Sequence, residues 1–467
     1  MSKYKRYERY KDSGIEWIGE IPEHWNVTKL GYRARMIVPM RDKPTEFNGD
    51  IPWIRIEDVD GKYIEDSKSE QRVSKELVKK MNLKVYPIGT VLCTCSCNMG
   101  TTVIVKKPLI SNQTFIGIVP MKDLDSTFLY YAMNANSKRL QHLAEGAIQQ
   151  YLSRHDFEHL KLAFPNENEQ IAIANFLDQK TAEIDGLIAD KEKLIELLQE
   201  KRQAIITETV TKGLNPNVKM KDSGIEWIGE IPEHWSIIKM KYLLSSKKYS
   251  IKAGPFGSQL KNDDMVSGDI KVYNQKTVLD NDFKSGDYYI ENCKYEELRA
   301  FEVFSGDLLV TTRGTIGKTA IVPKDAEKGI LHPCLIKITL NPDKVLNDYV
   351  NVIFNNTKIV TNQIMLESNA TTIDVIYTDT LKNLVLPIPP LEEQKSIIDF
   401  VDAKIGEIDG LISSINNQIQ KLKEYRQSLI SEAVTGKIDV RVFENKDEVI
   451  YSEQDSSPCR ELTHVAE

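Results

Sequence analysis

The sequence predicts an α+β chain: a tandem repeat of two mixed domains separated by two long antiparallel coiled-coil helices, with pseudo-twofold symmetry. Three observations predict it. Residues 11–25, KDSGIEWIGEIPEHW, return letter for letter at 221–235, 210 residues later. An internal repeat of this kind outranks every local reading of the fold. Residues 169–211 match residues 393–435, now at an offset of 224. Both of these matched tails carry an apolar heptad. The offset grows by 14 between the two marks, and the sequence between them diverges strongly. Each unit is therefore a near-constant head, a divergent middle and a near-constant tail.

The repeat divides the chain into a head at 1–25, a first middle at 26–165, a central helix at 166–213, a linker with the second head at 214–235, a second middle at 236–388, a closing helix at 389–443 and a tail at 444–467. The heads mix Gly and Pro with apolar residues and read as packed, irregular straps. Ile15, Trp17, Ile18, Ile21 and Trp25 are expected to bury. The Glu23-His24 pair beside Trp25 reads as packing or capping rather than catalysis. In the first middle, 51–56, 89–97 and 115–119 look extended, and 126–136 and 138–145 look helical. A short helix opens at Ser153, and a strand comes after it at 160–164. The second middle repeats that order. GTVL from Gly89 aligns with GDLL from Gly306, Gly100 with Gly317, and GAIQ from Gly146 with NATT from Asn369.

The closing helix carries Val401, Ile405, Ile408, Ile412, Ile415, Ile419, Leu422, Arg426, Leu429 and Ala433, stepping by four and three. That is a heptad seam. The central helix has the same seam in more polar form: Leu177, Thr181, Ile184, Ile188, Lys191, Ile195, Leu198, Arg202, Ile205 and Thr209. Each seam needs a partner, and the other seam is the nearest one. Arg202 and Arg426 sit within the seams, where a charge costs stability unless it is paired; paired, it sets the register. The polar, acidic residues 444–467 read as a disordered tail.

Composition bounds the function. No apolar run approaches the ~20 residues of a membrane span, and the N-terminus has no apolar signal region. The reading is a cytoplasmic protein with no membrane partner. Cys93, Cys95 and Cys97 would share one face of a strand. No His or second Cys pair stands at zinc-finger spacing, so they read as small buried residues. The net charge of −7 is unevenly held: the first middle carries +5, the second +1 and the constant parts −13. A basic groove can therefore exist within an acidic chain.

Gly314-Thr-Ile-Gly-Lys318-Thr319 looks like the end of a phosphate-binding loop, but Thr312 stands where that loop needs its first Gly. It reads instead as a Gly-rich turn presenting Arg313 and Lys318. Gly254-Pro-Phe-Gly-Ser-Gln-Leu-Lys261 is a second turn. Loop residues of this kind suit phosphates and base edges. The candidates for DNA contact are Ser258, Gln259, Lys261, Arg313, Lys318, Thr371 and Thr372 in the second middle. In the first they are Asn98, Thr101, Thr102, Gln149 and Gln150. No catalytic, cofactor or metal constellation emerges, and no methyltransferase-like Asn-Pro-Pro-Tyr motif.

The chain resembles the specificity (S) subunit of a type I restriction–modification system. The marks are DSGIEWIGEIPEHW heading each half, LPIPPLEEQ at 386–394, EIDGLI in both long helices and GDLLVTTRGTIGK at 306–318. They cover residues 10–443. The first helix entry, FPNENEQ at 164–170, is a poorer match, and Cys95-Ser96-Cys97-Asn98 lacks the Arg of Thr312-Arg313-Gly314. The resemblance implies that residues 26–165 and 236–388 are target recognition domains, each reading half of a bipartite site in double-stranded DNA. It implies that the helices space them and carry two methyltransferase (M) subunits, with restriction (R) subunits as further partners. The chain itself would be no enzyme. S-adenosylmethionine would belong to the methyltransferase partner, and ATP and Mg to a restriction partner. The competing reading is a helical scaffold that does not read DNA; two unlike middles argue against it.

Overall fold

The computed structural model describes residues 4–40, 42–96, 98–144, 151–368 and 375–441. Chain contacts divide it into two units: Met1–Lys191 with Asn417–Glu467, and Glu192–Asn416. The long helices, Glu167–Lys212 and Leu391–Val434, each give one half to each unit. The tail at 444–467, Cys97 and Cys459 lie outside the described residues.

In the first unit the head is more regular than an irregular strap. Tyr10–Asp12 and Glu20–Pro22 pair antiparallel as a small hairpin. Ile18, Ile21 and Trp25 are buried as expected. Trp17 is not: it is 37% exposed, with the Arg139 guanidinium over its ring at 4.6 Å. An indole keeps a polar edge and tolerates a cation on its face, so the repeat does not need it in the core. The middle then enters through Asn26–Lys29 and leaves through Lys161–Phe164, which pair antiparallel. Between them lies a five-stranded sheet in the order Ala34–Ile37, Phe115–Pro120, Val91–Thr94, Thr102–Val105 and Tyr63–Ile64. A three-stranded sheet orders Ile110–Ser111, Ile51–Ile54 and Arg72–Val73. The helix Ser126–Ala135 starts where the Asp125 carboxylate accepts from the Phe128 N–H at 2.7 Å, a cap worth ~1 kcal/mol.

The second unit repeats the plan. Met220–Asp222 pairs with Glu230–Pro232, and Ser236–Lys239 pairs with Val385–Ile388. One four-stranded sheet orders Ile251–Ala253, Leu335–Ile338, Leu308–Thr311 and Thr319–Ile321. Another orders Tyr289–Ile290, Ile270–Tyr273, Gly329–Leu331 and Glu302–Val303. In both units the entry and exit strands of the middle are neighbours. Each middle is thus inserted at a single seam, and its own sheets close without it.

A glutamate and a glutamine join each head and middle to a long helix. Glu169 accepts from the Tyr7 hydroxyl at 2.5 Å and the Trp25 indole at 3.1 Å, with His24 Nε2 at 2.9 Å. Glu393 takes His234 Nε2 at 2.8 Å and the Trp235 indole at 3.0 Å. Burial and the Glu169 carboxylate push the Tyr7 hydroxyl pKa far up. The next residue faces the middle. Gln170 accepts from the Asp125 N–H at 2.9 Å, and Gln394 accepts from the Leu346 N–H at 2.8 Å. Both amides also donate to backbone carbonyls on either side. The Glu-His pair of the repeat is therefore long-range and structural: His24 meets Glu169 rather than the adjacent Glu23.

The seam arginines are paired. In the first unit Arg426 meets Asp185, with Nε to Oδ1 at 2.9 Å and Nη2 to Oδ2 at 3.2 Å. Lys191 Nζ donates to Gln418 Oε1 at 2.6 Å. As one number rises the other falls, so the two helix segments run antiparallel there. In the second unit Arg202 Nε lies 3.6 Å from Asp409 Oδ1. Asp185 and Asp409 are the aspartates of the two EIDGLI motifs, so each motif pairs with the arginine of the other tail. Ile184, Ile188, Ile408, Ile415 and Ile419 are buried along the seams. No described helix is long and apolar enough to cross a membrane.

Candidate nucleic-acid interface

One threonine in each unit builds the main candidate loop. Thr94 ends its strand fully buried. Its hydroxyl donates to the Asn98 carbonyl at 2.6 Å and accepts from the Thr101 N–H at 3.0 Å. Thr311, also fully buried, donates to the Thr315 carbonyl at 2.6 Å and accepts from the Lys318 N–H at 3.0 Å. A β-branched residue favours the strand, and its hydroxyl replaces ladder bonds that the turn gives up. Gly100 closes the first loop at φ +84°, where a Cβ would stand 2.7 Å from the Ser137 backbone. The loop in the second unit joins Leu308–Thr311 to Thr319–Ile321. It is strand–turn–strand, whereas a phosphate-binding loop runs from strand into helix.

The sheets gather further loops at the same ends. In the second unit Thr311 pairs with Leu335 and Ala253 with Ile336. The loops that leave Ala253 and Thr311, and the one that precedes Leu335, therefore stand together at one sheet end. Gly254 is needed there, because a Cβ would sit 2.2 Å from the His332 carbonyl oxygen. Thr312 donates from N and Oγ1 to the Cys334 carbonyl, at 3.0 and 2.9 Å. In the first unit Thr94 pairs with Phe115 and Ile37 with Gly117. Cys95 N donates to the Thr114 carbonyl at 2.8 Å. The layout is the same with other side chains.

Ser258, Gln259, Lys261 and Arg313 are exposed on the loops of one sheet end. Gln259 Oε1 accepts from the Phe256 N–H at 3.0 Å and Lys261 N donates to Asp264 at 2.8 Å, so this loop is internally braced. Asn98 is exposed in the left-handed region at φ +46°, and Thr101 donates to its carbonyl at 2.8 Å. Two of the expected contacts are held differently from the rest. Thr102 begins the strand Thr102–Val105 and is 4% exposed; the turn ends one residue earlier. Lys318 is turned back, its ammonium donating to the Asn355 carbonyl at 3.1 Å. That carbonyl lies in the last turn of Asn347–Asn356, where a cation complements the helix dipole. Gln149, Gln150, Thr371 and Thr372 lie outside the described residues. Their described neighbours Leu152 and Ile376 donate to the Cys95 and Thr312 carbonyls, at 2.8 and 3.0 Å.

Two residues at these ends escaped the sequence reading. Phe256 is 80% exposed at the turn of its loop. Gln113 is exposed beside Cys95, one residue before Thr114. The signal for Phe256 was an aromatic held between Gly254-Pro255 and Gly257. Gln113 carried no local signal, because only the sheet brings it beside Cys95.

The cysteine strand was read too long: the strand stops at Thr94 and Cys95 lies in the loop. Burial pushes the Cys93 thiol up, toward the inert form. Among the described residues no His, Cys, Asp and Glu cluster could hold a metal.

Comparison with known proteins places the chain. It matches the type I restriction modification DNA specificity domain over residues 37–197 and again over 250–421. The MjaIX specificity subunit of Methanocaldococcus jannaschii is 25% identical over 94% of this chain and 99% of its own length. The EcoKI specificity subunit of Escherichia coli is 22% identical over 95% of each. A solved chain from a study of complex assembly and conformational transition in the type I R-M system shares the fold, with a TM-score of 0.62 at 14% identity over 89% of this chain and 98% of that one. The chain belongs to the type I restriction modification DNA specificity family, as the non-catalytic subunit that supplies DNA recognition.

Proposed function

We propose that each middle reads one half of a bipartite, asymmetric DNA target, and that the antiparallel long helices set the spacing between the halves. The observation that carries this is the pair of threonine-pinned loops. Their hydrogen-bond frames agree between the units while their side chains do not: Ser96, Asn98 and Thr101 stand where Arg313, Thr315 and Lys318 stand. A common frame with different side chains is what two readers of different sequences require. Arg313 offers a bidentate match to guanine, and Phe256 offers an apolar face to a base step.

The constant parts serve assembly. Two methyltransferase subunits, one per unit, bind S-adenosylmethionine and take the target adenine out of the stack. A restriction subunit, where the system has one, brings ATP and Mg. The place of action is the cytoplasm, with the DNA.

Two exchanges test the reading by methylation mapping of the host genome. Replacing residues 26–164 with the middle of another family member should change one half-site and keep the other. Inserting one heptad into each long helix, near Ile195 and near Ile415, should keep both half-sites. The added ~10 Å of helix should lengthen the spacer by about three base pairs at ~3.4 Å each. If the exchange altered both half-sites, the middles would not be independent readers.

A further inference from the structure

Phe176 and Phe400 hold the same place in the repeat, 224 residues apart, and the two units treat them differently. Phe176 is fully buried. The Tyr4 ring stands edge-on to it at 5.3 Å, and the Tyr4 hydroxyl lies 3.4 Å from that of Tyr425. The rest of the N-terminal strap lies across the same helix start. Tyr7 reaches Glu169, the Lys5 carbonyl accepts from the Asp439 N–H at 2.8 Å, and Arg441 covers the Tyr7 ring at 4.8 Å. The glutamate beneath is sealed, its side chain 2% exposed.

Among the described residues the second unit has no such strap. Leu214 and Asn217 stand where the repeat places Tyr4 and Tyr7. Phe400 is left 36% exposed, and the Glu393 side chain 25% exposed. Phe400 lines an open groove with Ile205, Leu214 and Met220, and Glu208 and Glu230 stand in its wall. Glu208 has a loose pair, Lys212 at 3.7 Å. The first unit shows what closes this place: an extended segment, Tyr4-Lys5-Arg6-Tyr7, with two basic residues between two aromatics. The groove of the second unit, whose lining also holds Lys212, offers an aromatic floor and two glutamates against that one lysine to a segment of the same chemistry.

We propose that this groove receives an extended segment of a partner subunit, seating an aromatic side chain on Phe400 with flanking Lys or Arg facing Glu208 and Glu230. The two units are then unequal docking sites, one closed by the chain's own Tyr4-Lys5-Arg6-Tyr7 segment and one completed by the partner. The partner's class rests on the reading that methyltransferase subunits assemble on this chain; the groove itself does not.

The test is a photo-crosslink in the co-expressed complex of the full chain with its methyltransferase, with p-benzoylphenylalanine in place of Phe400. The expected product joins position 400 to a methyltransferase peptide that holds an aromatic residue beside Lys or Arg. Phe400→Ser, a change at a partly exposed side chain, should weaken the second methyltransferase at least tenfold in native mass spectrometry titrations and leave the first in place. A crosslink confined to this chain, a crosslink to the N-terminus of a second copy, or unchanged titrations for Phe400→Ser would each overturn the proposal. Unaltered half-site specificity in the methylation maps would accompany any of these, so the DNA-reading proposal stands or falls separately.

Discussion

Glu169 and Glu393 are one residue of the repeat in two settings. Glu169 holds three donors and is sealed from solvent, while Glu393 holds two and keeps a quarter of its side chain exposed. The head motifs that supply the His and Trp donors are identical, so the difference, the Tyr7 donor included, comes from the chain packed around each motif. At Glu169 the segment with Tyr4 and Tyr7 lies over the site; at Glu393 the linker from the first long helix passes with no tyrosine in it. A repeated motif fixes the geometry of its own hydrogen bonds, and its burial is decided by residues outside the motif.

The largest expected effect tests that difference directly. Glu169→Ala strands the Tyr7 hydroxyl and the Trp25 indole inside the fold, and two buried donors without acceptors cost about 3–5 kcal/mol together. Glu393→Ala strands one indole beside water and should cost about 1–3 kcal/mol. Hydrogen exchange reads them separately. Peptides of residues 7–25 should lose far more protection in the first variant than residues 220–235 lose in the second. Equal losses would mean that the N-terminal strap adds nothing to the lock.

The next effect concerns the loops. Thr94→Val and Thr311→Val keep the shape of a buried side chain and remove the hydroxyl that pins the turn. Thr311→Val leaves the half-buried Lys318 N–H without its acceptor, about 1–3 kcal/mol, whereas after Thr94→Val the Thr101 N–H keeps the Asn98 carbonyl at 3.2 Å, so the first change costs less. Each should loosen reading at one half-site only, seen as relaxed methylation on one side of the spacer. Relaxation on both sides would contradict the independence of the two middles.

Much of this was legible in the sequence, and the parts that were not share a cause. The repeat and the seams survive because a heptad shows itself within a few turns, and the Arg202 and Arg426 positions stood out as charges in an apolar stripe. The Glu-Gln locks were missed although both halves of each were repeated, because nothing local says that Trp25 meets a residue 144 positions away. The loop was not legible to the residue: Thr102 already belongs to the strand, and in a strand one residue decides between loop and core. The acceptor of Lys318 was not legible because the Asn355 carbonyl comes from a helix 37 residues later. The heads were read as irregular because hairpin strands of three residues are too short to show alternation.

Arg313→Ala comes third. A bidentate arginine–guanine pair discriminates by about 1–3 kcal/mol, so the second half-site should accept other bases at one position while the first stays strict. Asn98→Ala in the first unit should do less, because a neutral side chain at φ +46° is held by a strained turn as much as it reads. Binding curves on DNA with single changes in each half-site compare the two. If Arg313→Ala weakened all sequences alike, the residue would be a phosphate contact.

The smallest effect lies in the seams. Arg426 meets Asp185 through two of its nitrogens, at 2.9 and 3.2 Å, whereas Arg202 approaches Asp409 through one at 3.6 Å. The aspartates are about half exposed, 52% and 54%, so solvent screens both pairs and each is worth less than ~1 kcal/mol. Arg426 alone adds a hydrogen bond to the ion pair, from Nη2 to Asp185 Oδ2, and a charge-assisted hydrogen bond is the stronger arrangement. Asp185→Asn should therefore destabilise its seam measurably and Asp409→Asn scarcely at all, with the difference shrinking in high salt. The arginine is the reason the effect is not zero. It lies in the apolar stripe between Leu422 and Leu429 in one tail, and between Leu198 and Ile205 in the other. A neutral partner leaves it facing that stripe without a counter-charge. The double change Asp185→Arg with Arg426→Asp restores the pair with the polarity reversed. Recovery of stability in that variant would show that the pair sets register by charge; no recovery would assign the position to the packing of the arginine stem along the seam.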